Sequence, residues 1–109
     1  MPRYREPEES VRNVEPREFP LYLMTPKTKN RIHSQFGNLR MIRRVDPGPA
    51  VHVHQADAAD RGIRDGALVR VLNRRGEFRL PASLESSLKQ GCVSVTNGWW
   101  IQEGGTVNF

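Results

Sequence analysis

The chain reads as a mainly β domain with short helices, arranged as a compact barrel. Strand-like runs recur along it, each closed by turn residues, with brief helical segments tucked between them. At 109 residues, with 37% apolar and 27% charged side chains, it has room for one domain with a modest core and a polar surface. No apolar run approaches the length needed to span a bilayer, and no internal repeat is visible.

Residues 1–18 combine proline with mixed charge and almost no apolar periodicity, as expected of a flexible leader or linker. They lack the hydrophobic segment that directs export, so any such signal would lie upstream and the compartment, cytoplasmic or periplasmic, stays open. Phe19 to Thr25 is the first predicted strand, residues 30–36 one helical turn, and residues 37–49, with Gly37, Pro47, Gly48 and Pro49, a loop. Ala50 to His54 alternates as a second strand. Ala56 to Gly62 follows as a short helix, with Asp57 near its start and Gly62 as its stop. Ala67–Leu72 and Glu77–Ser83 are strands joined by a hairpin turn at Asn73–Gly76. Leu84–Gln90 is a short helical or irregular link, and Cys92–Thr96 is the last clear strand.

The charge is uneven. Residues 1–18 hold four Arg against five Glu, whereas residues 19–109 hold thirteen cations against seven carboxylates. A basic folded part suits a phosphate-bearing ligand, a nucleic acid or an acidic partner surface. Nucleic acid is disfavoured, because the few Tyr and Phe do not interleave with the cations as a stacking platform would. The single Cys92 excludes an internal disulfide and any cysteine-built zinc or iron–sulfur site.

The densest signal is Leu21 to Phe36. Its apolar run breaks at Thr25-Pro26 into a cationic loop bearing Lys27, Lys29 and Arg31, then presents His33, Ser34 and Gln35 together. Such a set suits an anionic ligand with a hydrogen-bonding ring. The same polar groups could instead satisfy their own turn. His52 and His54 share a strand face, but two ligands do not close a metal site, and a solvated face is the expected role. Asp57, Asp60 and Asp65 read as helix-end and turn residues. Of Trp99 and Trp100, adjacent on a strand, one is expected in the core and the other exposed. No nucleophile elbow, phosphate loop or Gly-Ser self-cleavage dipeptide occurs.

Leu-Met-Thr-Pro at 23–26 followed by Arg-Ile-His-Ser-Gln-Phe at 31–36 resembles the opening of the C-terminal molybdopterin dinucleotide-binding domain of molybdopterin oxidoreductases, the dimethyl sulfoxide reductase family. The resemblance continues through Gln55–Gly66, Val69–Gly76, Gly91, Trp99-Trp100 and Gly104-Gly-Thr-Val-Asn108, covering Phe19 to Phe109 in order. It implies the double-psi β-barrel fold of the aspartate decarboxylase type, with a last segment missing because such domains run past the position of Phe109. It implies a cofactor, bis(molybdopterin guanine dinucleotide) with molybdenum or tungsten, contacted by Thr25, Lys27, His33, Ser34, Gln35 and Asn108. The metal ligand would come from outside this chain, and no catalytic residue is expected within it. The implied partners are the other domains of the parent catalytic subunit, together with an iron–sulfur electron-transfer subunit. Two other readings stay open: a free-standing small subunit of a formylmethanofuran dehydrogenase-like complex, and a double-psi barrel serving protein interaction.

Overall fold

The computed structural model describes residues 1–8, 10, 12–13 and 18–99. Seven elements follow one another: β1 (Tyr22–Met24), α1 (Arg40–Val45), β2 (Val51–His54), α2 (Gln55–Ala59), β3 (Leu68–Leu72), β4 (Glu77–Glu85) and β5 (Cys92–Ser94). The strands form one mixed sheet in the order β1-β5-β2-β4-β3, curled into a half-barrel. β1 runs parallel to β5 and β2 parallel to β4, while β2–β5 and β3–β4 are antiparallel.

Period-two patterning places the core. Val51 and Val53 point inward from β2 while His52 and His54 stay half-exposed. With Ala58, Leu80, Val93 and Val95 they form the buried cluster. Six side chains, at about 1.5–3 kcal/mol for each fully buried aliphatic residue, make a small core.

β4 is the strand on which the curl turns. Its first part, Glu77 to Pro81, pairs with β3, and the stretch from Ala82 to Glu85 pairs with β2. The change of partner falls at Pro81, which has no N–H to offer a ladder. The hairpin before it is as the sequence predicts: Asn73 Oδ1 accepts from the N–H groups of Arg75 at 2.8 Å and Gly76 at 3.1 Å.

α2 starts at Gln55 rather than Ala56 because His54 Nδ1 accepts from Ala56 N–H at 3.1 Å and caps it. Gly62, at φ +65°, ends it, with Ile63 N–H reaching Ala58 O. Asp57 Oδ2 accepts from Gly91 N–H at 2.7 Å, tying α2 to the start of β5.

Two expectations are corrected. Residues 30–36 hold no helical turn; Ile32 and Gln35 bridge across a tight turn centred on His33 and Ser34. The predicted loop 37–49 contains α1. Gly37 and the prolines at 47 and 49 mark its boundaries, but they mask the helix-forming Arg-Met-Ile-Arg-Arg-Val between them. Arg43 and Arg44 sit in its last turn, where the helix dipole favours cations.

Candidate functional site

The ladder between β1 and β5 continues past both strands. Val95 N–H donates to Met24 O at 2.9 Å and Asn97 N–H to Pro26 O at 3.1 Å. Thr25 and Lys27 flank these bonded residues and are exposed. The segment starting at Thr25 is thereby laid beside the turn after β5.

Arg31 locks the two together. The sequence places it among the loop cations, free to meet a phosphate; the structure buries its side chain completely. Its Nε donates to Asp46 Oδ2 at 3.0 Å, one terminal nitrogen to Gly98 O at 2.8 Å and the other to Asn97 O at 3.3 Å. The guanidinium lies 3.6 Å from the ring centroid of Trp99. Thr28 Oγ1 joins the same Asp46 oxygen at 3.3 Å. The planar fork of arginine suits such a convergence, which a lysine could not reproduce.

Gly98 completes the weld. Its φ is +81°, and a Cβ there would stand 2.3 Å from His33 O and 2.9 Å from Ser34 N. Only glycine lets these backbones touch. The turn it supports holds His33 at φ +52°, in the left-handed region. His33 and Gln35 are exposed and Ser34 is partly exposed, so three of the sequence-predicted site residues share one turn. Lys27, Lys29, Arg40 and Arg44 are exposed cations on the neighbouring segments and supply a positive setting. Trp99 takes the buried role, its Nε1 donating to Thr96 Oγ1 at 3.0 Å. Asn108 and Trp100 lie outside the described residues.

Sequence reasoning missed Asn97. Read as turn punctuation, it has a carboxamide oxygen that is buried and has no hydrogen-bond partner among the described residues. The only available signal was the Asn-Gly pair itself. His52 and His54 face other tasks: His52 Nδ1 lies 2.6 Å from Glu85 Oε1, and His54 caps α2. Among the described residues no three His, Cys, Asp or Glu side chains gather as a metal site. Nor, among them, is any helix long and apolar enough to cross a membrane.

Comparison with known proteins places the chain in a family. Residues 21–109 match the molydopterin dinucleotide binding domain model. The chain is 38% identical over 86 residues to a putative dimethyl sulfoxide reductase catalytic subunit of Halobacterium salinarum, covering 79% of this chain and 10% of that protein. It is 39% identical over 101 residues to the trimethylamine-N-oxide reductase of Haemophilus influenzae, covering 91% of this chain and 12% of that one. It shares its fold with acetylene hydratase from Pelobacter acetylenicus, with a TM-score of 0.76 at 21% identity, over 92% of this chain and 14% of the other. The chain thus spans only a small fraction of the length of these relatives. It belongs to the molydopterin dinucleotide binding domain family.

Proposed function

We propose that this chain binds bis(molybdopterin guanine dinucleotide), with molybdenum or tungsten, as the C-terminal domain of an oxidoreductase catalytic subunit. The family match over residues 21–109 carries the reading. In this reading residues 19–109 are the cofactor domain and 1–18 a linker. The large reductase relatives favour it over a free-standing small subunit or an interaction module.

The residues present fit such a group. A dinucleotide brings phosphates and two ring systems rich in donors and acceptors. Lys27 supplies charge beside the phosphates; His33, Ser34 and Gln35 supply mixed donors and acceptors on one rigid turn; Thr25 supplies a hydroxyl at its flank. The unpartnered Asn97 oxygen is a further acceptor at the same place. Asn108 is the remaining proposed contact. When bound, the cofactor supplies a metal centre for two-electron or oxygen-atom transfer. This chain binds and orients it: Arg31 and Gly98 hold the 31–35 turn in place, and no residue here is assigned the redox step.

In this proposal the half-barrel belongs to a double-psi barrel. Eight of the exposed large apolar residues fall between Tyr22 and Val45, among them Tyr22, Ile32, Phe36 and Met41. Such a concentration beside the site suits burial against other domains of the parent subunit. An iron–sulfur electron-transfer subunit is the expected further partner of that assembly.

The test is to isolate the native protein with an antibody to this domain, then measure its mass, molybdenum, tungsten and acid-released guanosine monophosphate. A species far heavier than 12.5 kDa carrying metal and guanine is expected. His33→Ala with Gln35→Ala should lower its cofactor content several-fold. A free chain near 12.5 kDa with neither metal nor nucleotide would overturn the proposal.

A further inference from the structure

Asn97 stands where the loop after β1 meets the turn after β5, and its backbone is fully engaged. Its N–H donates to Pro26 O at 3.1 Å, and its carbonyl accepts from Arg31 at 3.3 Å. Its side-chain oxygen is the exception: buried, and the one such side-chain atom without a partner among the described residues. Leaving an acceptor in that condition costs about 1–3 kcal/mol, which a well-packed turn has no structural reason to retain. The turn around it is otherwise tightly specified by the Arg31 contacts and the seating of Gly98 on the 33–34 peptide.

We infer that Asn97 is a specificity residue of the cofactor site, its Oδ1 accepting a hydrogen bond from the exocyclic amino group of a 2-amino-4-oxopyrimidine ring. The inference rests on the cofactor-binding reading above. Pterin and guanine share that ring edge, and its amino group is a donor with no acceptor character. A carboxamide oxygen is its complement. Lys27 and Lys29 cannot serve, being donors only. Asn97 precedes Gly98, which touches the His33–Ser34 peptide, so the unpaired oxygen belongs to the turn packed against His33, Ser34 and Gln35. Selection then works by gain: the amino ring satisfies an acceptor that is already buried and unpaired, whereas a ring without the amino group leaves it so.

The experiment pairs ligands that differ only at that group. Guanosine diphosphate against inosine diphosphate tests the guanine source; 6-hydroxymethylpterin against the matching lumazine tests the pterin source. Each is titrated into the cofactor-stripped native protein, as wild type and as the Asn97→Leu and Asn97→Asp variants, with near-ultraviolet dichroism reporting the fold. The wild type should prefer the amino ring of one pair by about 5- to 100-fold. Asn97→Leu should reduce that preference to about onefold, and Asn97→Asp, which keeps the acceptor, should preserve it. The pair that shows the effect identifies the ring. Equal preference in wild type and Asn97→Leu overturns the inference and leaves the cofactor reading standing. Absence of any binding by the wild type overturns both. If a variant fails to fold, the wild type still decides: equal affinity for amino and non-amino rings refutes the assignment.

Discussion

Replacing Arg31 by Met keeps the side chain's bulk and removes its charge. The structure sets the magnitude. Asp46, 14% exposed at its side chain, would lose its cation, and the carbonyls of Asn97 and Gly98 would lose their donors. Breaking a buried pair from one side costs about 3–5 kcal/mol, because the other charge is stranded. The lost stacking on Trp99 falls within that range rather than adding to it, since these contacts share one group. Against a total stability of about 5–15 kcal/mol this is a large fraction. At roughly 4 °C per kcal/mol for a domain of this size, the melting temperature should fall by about 12–20 °C. Pairing Arg31→Met with Asp46→Leu removes the stranded carboxylate, so the double variant should recover about 1–3 kcal/mol relative to the sum of the single changes. Thermal unfolding followed by far-ultraviolet dichroism and by tryptophan fluorescence measures both. A loss below about 1 kcal/mol for Arg31→Met, or strict additivity in the double variant, would refute the view that Arg31 is the lock of the site.

Two further changes probe the same architecture. Gly98→Ala sets a Cβ 2.3 Å from His33 O at a left-handed φ, and should cost about 2–4 kcal/mol; amide chemical shifts should move at His33–Gln35 while those of the β3–β4 hairpin stay fixed. Glu18 offers a pH test. It is hydrogen-bonded to Arg74, which holds the carboxyl below the ordinary glutamate value. A depressed folded-state value means the tether is present at neutral pH and is lost as pH falls through that lowered value. An NMR titration should show Glu18 returning to the ordinary range in Arg74→Gln, and in wild type at high salt; an unchanged Glu18 titration in that variant would remove the tether from the account.

Local chemistry was legible wherever it acts over a few residues. Asn73-Arg-Arg-Gly specifies its hairpin through one side-chain oxygen, and Val-His-Val-His announces a half-buried strand. Gly62 stops α2 because its φ is positive. Punctuation also misled: Gly37 and Pro47 drew attention away from α1, whose side chains include no buried residue to give it a helical period. The proposed contacts His33, Ser34 and Gln35 were legible as a cluster, but their support was not. Arg31 reads as one more loop cation until Asn97 and Gly98, more than sixty positions later, are brought to it. Neither the burial of a charge nor the orphaning of an amide oxygen leaves a mark in local sequence, since both are properties of the assembled turn.

The parallel pairing of Tyr22 with Cys92 and of Met24 with Ser94 also orders events in time. At about 5–20 residues per second, a ribosome needs roughly 4–14 s to extend from one partner to the other. Throughout that interval Tyr22, Leu23 and Met24 have no strand to pair with, and Arg31 has neither carbonyl to hold. The hairpin and its neighbours β2 and α2 can settle first, because their contacts are close in sequence. The 31–35 turn therefore takes its shape after the hairpin, β2 and α2. Under the proposed function, a cofactor that rests on this turn meets its finished shape only after Asn97 and Gly98 have been added.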